Sequence, residues 1–427
     1  LLDRPLRFGY TRGTNPWGKD LIVVDLLTIA GDLTGAMDVG AQFAGRGLRT
    51  VVAWGGAPVG EADVWSLDTE SRDLAPDEAR RRVGEMAGPL VAQVTQLYVA
   101  VDPDMSGNAS AGLEALLAAS GAPRILLAPA CPARGWTTAG GRQPRDGAPP
   151  SGATVSICDL LTSRTGLACD SVQLDVVRRG AECLASYLQS CKARILVVDA
   201  TEDADLATIA RAATATGLDR LLAGSAGLAA QLPAAWGPIA GMPPLEPIAG
   251  PVLIVAGARH PGLSSQLARL QAEAPVQVVG GVLGGLLKRG QGVVEERGEA
   301  LAAALAEGAD AVLSTCGEPR VAGADRLVAG LLAEAARHAL RQARPDALVL
   351  IGGQVAAATC RALGAEAIAV EGELAPGAPM GRLLGGEGAR LRVVIRRGAS
   401  GDDGALWRVF QALRNGGKWG NRVHTLA

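Results

Sequence analysis

The sequence predicts an α/β protein of two domains, each a mostly parallel sheet flanked by helices, with a ligand cleft between them. Three observations predict it. Short apolar runs recur along the chain, and each leads into an Ala/Leu-rich stretch of helical length, the order of βαβ units. The runs are continuous rather than alternating, as expected of strands covered on both faces. Finally, 427 residues are enough for two domains, and a Pro/Gly-rich stretch at 232–251 separates two series of such units.

In order, the first series is opened by Leu21–Val24 and Leu27–Ala30, then Thr50–Trp54, Gln96–Val101 and Arg124–Ala128. Arg194–Asp199 follows and leads to a helix over Asp205–Thr214. Residues 140–153, rich in Gly and Pro, read as a surface loop within this half. The second series holds Val252–Ala256, a helix starting near Ser264, Ala311–Ser314, a helical run over Leu331–Arg344, and Ala347–Ile351. The expected division is a polar tail at 1–20, an N-terminal domain at 21–240 and a C-terminal domain at 250–427.

Composition narrows the function classes. Net charge is −2, from 41 basic and 43 acidic residues, so no general attraction to nucleic acid or to an anionic membrane is expected. The lysines are only Lys19, Lys192, Lys288 and Lys418, leaving few candidates for phosphate neutralisation by lysine. The 7 cysteines form no CxxC pair and their odd number argues against a disulfide framework, so they read as reduced and mostly buried. Residues 1–20 contain no apolar core of a signal peptide, and no run of about 18 apolar residues occurs, which points to a cytoplasmic protein. His260, His338 and His424 are too scattered for a histidine metal site, and no protein metal site is expected.

Several strand ends carry chemistry. Ile29–Gly40 joins a strand to a helix through Asp32 and Thr34. An Asp there can accept a hydroxyl proton and helix-start amides can hold an anion; Asp32 or Thr34 can equally be a helix cap. In Asp68–Arg72, Arg72 can grip a carboxylate with two parallel bonds, or the run is a solvated loop before a helix starting at Pro76. Asp102–Asn108 suits a polyol, or is a capped turn.

In the second half, Gly257, Arg259 and His260 follow one strand, Ser314 and Gly317 another, and Gly352 and Gly353 a third, with Gly398 and Gly401 near the end. Glycines at strand-to-helix turns let the backbone approach phosphates, and together these make a nucleotide site reasonable. No GxxxxGK[ST] occurs and no GxGxxG follows the first strand, which argues against a P-loop protein and a dinucleotide enzyme.

These stretches, in this order, resemble the four-carbon acid sugar kinase family. Its A-D-D-L/F-T-G-A-N-D resembles Ala30–Asp38, its D-T-E-S-R Asp68–Arg72, and its K-K-I-D-S-T-L-R-G-N Val99–Asn108. Its P-A-F-P-A-N-G-R-T resembles Pro129–Thr137, its D-A-x-x-D-x-D-L Asp199–Leu206, and its G-S-A-G-L-A Gly224–Ala229. G-G-D/E-T-A resembles Gly352–Ala356 and P-G-x-P resembles Pro376–Pro379, so the likeness runs from Leu27 to Leu413.

The resemblance implies an acid-sugar domain followed by an ATP domain, with phosphoryl transfer to a hydroxyl of a threonate, erythronate or 3-oxo-tetronate and Mg2+ on the phosphates. It implies Asp32, Asp38, Ser71, Arg72, Asp102 and Asn108 at the acid; of these, Asp32 is the expected acceptor of the hydroxyl proton and Arg72 the expected carboxylate anchor. Gly257, Ser314, Gly317, Gly352, Gly353, Gly398 and Gly401 would serve the nucleotide. A homodimer is the common closed assembly.

Departures from the pattern are Gly31 and Met37, Val99 and Ala100 for two lysines, Ser106 for an arginine, Gln354 and Val355 for an acid and Thr, and Ser400 for an aromatic residue. Arg134 lies two positions from another missing arginine and is a candidate to replace it. Two readings stay open: an active kinase, or a relative that binds a carboxylate or nucleotide without turnover, as a sensor or scaffold.

Overall fold

The computed structural model describes residues 25–55, 61–143, 156–237, 244–257, 261–280, 292–316, 318, 323–398 and 400–416. Arg259, His260, Gly317, the expected strand Leu21–Val24 and the tail at 1–20 lie outside the described residues. In chain order the first elements are β1 (Leu26–Ala30), α1 (Leu33–Ala44), β2 (Thr50–Trp54), β3 (Val64–Asp68), α2 (Pro76–Val91), β4 (Gln96–Ala100), α3 (Ala109–Ser120) and β5 (Ile125–Ala128). Next come α4 (Ile157–Thr165), β6 (Cys169–Val172), α5 (Leu174–Arg178), α6 (Ala181–Ser190), β7 (Ile195–Val198), α7 (Asp203–Thr216), β8 (Leu221–Gly224) and α8 (Ala226–Trp236). They continue with β9 (Val252–Ala256), α9 (Pro261–Glu273), β10 (Val276–Val279), α10 (Gly292–Ala306), β11 (Asp310–Ser314) and α11 (Asp325–Gln342). The last are β12 (Ala347–Ile351), α12 (Gly353–Ala362), β13 (Ala367–Glu373), β14 (Pro379–Leu384), β15 (Arg392–Arg396) and α13 (Ala405–Asn415).

The described chain packs as two units. Of the described residues, one unit takes those up to Gly31, Arg46–Leu48 and 61–237; the other takes Asp32–Gly45, 49–55 and 244 onward. Helix α1 and strand β2, which lie early in the sequence, therefore pack with the later residues. The pairing responsible is antiparallel: Thr50 to Ala53 of β2 oppose Val370 to Ala367 of β13.

In the first unit the strand order is β3-β1-β4-β8-β5-β7-β6, and every pair is parallel. Helices cover both faces of such a sheet, so its inner strands bury most of their side chains, while edge strand β6 leaves Cys169 to Ser171 partly or fully exposed. All five residues of β1 and all four of β5 and β7 are buried. In the second unit β10-β11-β9-β12-β15 run parallel. The sheet then turns antiparallel through β14, β13 and β2. Its core joins Val252, Ile254, Val312, Val349, Ile351 and Val394 to Leu406 and Phe410 of α13.

Two readings are corrected here. Cys158 of α4 and Cys169 of β6 are disulfide-bonded, with 5.2 Å between their Cα atoms, so not all cysteines are reduced. The pairing joins residues 11 apart that only the α4-to-β6 turn brings together. Of the others, Cys131 and Cys360 are buried and Cys183 is exposed; burial pushes the Cys360 thiol up to about 12. The connector also begins later than 232, because Pro233 lies inside α8. Among the described residues, no helix is long and apolar enough to cross a membrane.

Candidate functional site

The ends of β1 and β3 stand level, Ala30 opposite Asp68. At the carboxyl ends of parallel strands, loops are free to collect ligand groups. Thr69 closes its loop onto β1: its N–H and its hydroxyl both donate to the Ala30 carbonyl, at 2.9 and 2.8 Å. The Arg72 N–H donates to the Gly31 carbonyl at 3.0 Å. Between them Glu70 takes a left-handed φ of 53°, and its N–H donates to the Asp68 carboxylate at 2.8 Å.

The loop aims Arg72 at the next strand end. Its Nη1 pairs with Asp102 Oδ2, its Nη2 donates to Ser106 Oγ at 2.9 Å, and that hydroxyl donates to the same Asp102 oxygen at 2.9 Å. Asp102 is 8% exposed and Arg72 30%, so the cation is the more accessible half of a pair with no net charge. Gly107, at φ 73°, lies against the arginine stem; a Cβ there would come 3.1 Å from Arg72 Cγ. Asn108 Nδ2 donates to the carbonyls of Ser71, Arg72 and Leu74, at 2.8, 3.2 and 2.7 Å, so its amide shapes the loop that carries Arg72. Ser71 is buried and shares a 2.8 Å hydrogen bond with the Thr69 hydroxyl. Arg134 ends a 3-10 turn, Pro132–Arg134, after β5, and Gly135 follows it at φ 74°. Asp38 is buried on α1, in the other unit.

Two further motifs of this unit are packing devices. Tyr98 donates to the Ser225 carbonyl at 2.6 Å, and Ser225 Oγ donates to the Ala130 carbonyl at 2.7 Å. A Cβ on Gly227 would come 2.5 Å from that same Ala130 oxygen, which explains the glycine. Burial raises the Tyr98 phenol well above its ordinary value. Asp199, 1% exposed, accepts the N–H groups of Gly140 and Gly141 at 2.7 and 2.9 Å. Burial raises its pKa, and these backbone bonds offset part of the rise.

The second unit gathers the glycine turns. Asp32 is the N-cap of α1, and its Oδ1 accepts from the Gly35 N–H and the Thr34 hydroxyl, both at 2.7 Å. A Cβ on Gly353, the first residue of α12, would lie 3.4 Å from Thr34 Cγ2. The Asp32 cap and the β12–α12 turn are thus neighbours. Gly352 is at φ 110° and its N–H donates to the Arg396 carbonyl at 2.9 Å. The Gly257 N–H donates to the Ile351 carbonyl at 3.3 Å. Ser314, at the end of β11, is buried and accepts the Cys316 N–H at 3.0 Å. Gly401 is at φ 88° in the turn after β15. Among the described residues no three His, Cys, Asp or Glu side chains gather as a metal cage.

The fold and these strand-end clusters define a two-unit α/β protein with polar side chains and glycine turns gathered at the carboxyl ends of parallel strands. Residues 26–232 match the family model of a sugar-binding N-terminal domain, and residues 253–406 that of a nucleotide-binding C-terminal domain. The D-threonate kinase of Bordetella bronchiseptica is 33% identical over 408 residues, covering 90% of this chain and 96% of the relative. The D-erythronate kinase of Heliobacterium modesticaldum is 28% identical, covering 89% and 95%. A crystal structure from Salmonella typhimurium shares the fold, with a TM-score of 0.73 at 21% identity over 91% of this chain and 99% of that one. The chain belongs to the four-carbon acid sugar kinase family.

Sequence reasoning passed over Arg396, which ends an apolar strand and is 1% exposed. The available signal was the charge itself: a strand reading Val393-Val394-Ile395 has no reason to end in an arginine turned into the protein. Thr69 and Asp199 lie inside the motifs, but that they hold the loops depends on distant partners, the Ala30 carbonyl and the N–H groups of Gly140 and Gly141.

Proposed function

We propose that the chain transfers the terminal phosphoryl group of ATP to a hydroxyl of a four-carbon sugar acid. The observation that carries this reading is the adjacency of Asp32 to the β12–α12 turn: Thr34 binds the Asp32 carboxylate and lies against Gly353. A carboxylate beside a glycine turn at a helix start suits a proton acceptor next to a phosphate chain. In the reaction the sugar hydroxyl oxygen bonds to the γ-phosphorus, the bond from that phosphorus to the ADP oxygen breaks, and Asp32 takes the hydroxyl proton. Such transfer relies on positioning and charge neutralisation more than on covalent help.

Arg72 is proposed to hold the acid's carboxylate, with Ser71, Asp102 and Asn108 shaping the loops around it and Arg134 as a second cation; Asp38 is proposed as a further residue for the acid. Gly257, Ser314, Gly352, Gly353, Gly398 and Gly401 are proposed for the nucleotide. Mg2+ is proposed to arrive on the phosphates, its usual companions, rather than in a protein cage. The alternative of binding without turnover is favoured by the simultaneous departures in both halves, Val99 and Ala100 for two lysines and Gln354 and Val355 for an acid and Thr.

The test is ADP release from MgATP in the presence of D-threonate, D-erythronate or 3-oxo-tetronate, with melting temperature measured in parallel. Acid-dependent ADP release supports the kinase. Acid-induced stabilisation without nucleotide binding or ADP release supports the alternative, since ligands of the folded state raise its melting temperature by mass action.

A further inference from the structure

Arg396 is the last residue of β15 and 1% exposed. It stands opposite Ile351 of β12, and its carbonyl accepts the N–H of Gly352. Its side chain turns to the other glycine turn. Nη2 donates to the Ser400 carbonyl at 2.7 Å and Nη1 to Gln266 Oε1 at 3.2 Å. Gln266, fully buried on α9, donates to the same Ser400 carbonyl at 3.2 Å. One residue therefore ties the Gly352 turn to the Gly398–Gly401 turn.

The bonding is incomplete. Arg396 Nε is buried without a hydrogen-bond partner among the described residues, and no described carboxylate pairs with the guanidinium. Burial, and then the charge of Arg408, lower its pKa to about 10, so it remains a cation at neutral pH. Arg408 has its own partner in Asp402, at 2.6 Å. A buried charge without a counter-ion is costly and is retained where something else offsets it.

We propose that Arg396 is a positioning residue of the nucleotide half: it holds the Ser400 carbonyl, and through it the approach to Gly401, and its charge, which no described carboxylate matches, is offset by the nucleotide's phosphates when they bind. The proposal rests on the kinase reading. It assigns a role to the chain's interior rather than to a group that touches the reacting atoms.

The test compares wild type, Arg396→Met and Arg396→Lys by calorimetric titration with MgADP, with inorganic tripolyphosphate and with D-threonate, each variant first shown to melt cooperatively. Arg396→Met is expected to weaken MgADP and tripolyphosphate by at least about tenfold, the scale of a lost contact to a charged group, and to leave D-threonate unchanged. Arg396→Lys, a single ammonium that cannot reach both Gln266 and Ser400, is expected to weaken MgADP and tripolyphosphate less than Arg396→Met does and to leave D-threonate unchanged. A folded Arg396→Met protein with wild-type MgADP affinity overturns the proposal alone. Should that variant not fold, Arg396→Lys decides: weakened MgADP with unchanged D-threonate supports the proposal, and wild-type MgADP affinity, or an equal loss for D-threonate, overturns it. A wild-type protein that binds D-threonate but no nucleotide overturns both this inference and the kinase reading.

Discussion

Gly257 and Val355 meet so closely that a Cβ on the glycine would lie 2.3 Å from Val355 Cγ2, with Leu332 Cδ1 at 2.9 Å. The glycine of the first nucleotide-half turn is therefore set by core packing as well as by any ligand. Val355, where the family pattern has Thr, points into that contact and is 4% exposed. Gly257→Ala is expected to cost about 1–3 kcal/mol from overpacking. Adding Val355→Ala should recover part of it, a non-additivity that urea unfolding of the four chains in a double-mutant cycle would measure.

Asp32→Asn keeps an N-cap, because Asn caps as well as Asp. Stability should change little, while turnover falls by about 10²–10⁴-fold if Asp32 accepts the hydroxyl proton. The check is kcat beside the melting temperature. A variant that turns over normally would move the base elsewhere.

Arg72→Ala should raise KM for the sugar acid about 10–100-fold and leave KM for ATP nearly unchanged, the size expected of a lost hydrogen bond to a charged group. It also leaves Asp102, 8% exposed, without its cation, so some stability loss should accompany it. Arg72→Lys separates the effects, since it supplies charge without the two-pronged geometry that reaches both Asp102 and Ser106. Steady-state kinetics with each substrate varied in turn is the measurement.

A fourth handle is pH. Burial alone would raise the Asp205 carboxyl, but the Arg178 hydrogen bond and the N–H groups of Thr201 and Glu202 outweigh it and hold the group below its ordinary 3.8. A carboxylate depressed in the folded state adds stability above its unfolded value and loses it as pH falls through the folded value. Wild type should therefore lose stability below about pH 4 more steeply than Asp205→Asn, whose amide does not titrate. Urea midpoints taken from pH 6 downward would show the two curves converging in acid.

Much of this fold was legible locally. Thr50–Trp54, Val252–Ala256 and Ala347–Ile351 were expected as strands and are strands over those same residues, because a strand covered on both faces has a continuous apolar run that survives any context. The Asp32 cap was legible for a similar reason: a short polar side chain satisfies the amides three residues ahead of it. β13 was not legible. It alternates between buried and partly exposed positions, carries a bulge between Val370 and Gly372, and pairs antiparallel on both sides, with β2 and β14.

What the sequence determined by itself is what short-range chemistry determines: the βα order, the caps, the glycine turns, and a motif order that identifies the family. What only the tertiary structure decided depends on residues far apart in the chain. Arg72 meets Asp102 and Ser106 across 30 and 34 positions, and β2 joins the later unit through β13. Arg396 donates to Gln266, 130 positions earlier. None of these has a local signature, since a side chain's partner is set by which strands become neighbours, and strand order is settled by packing of the whole sheet.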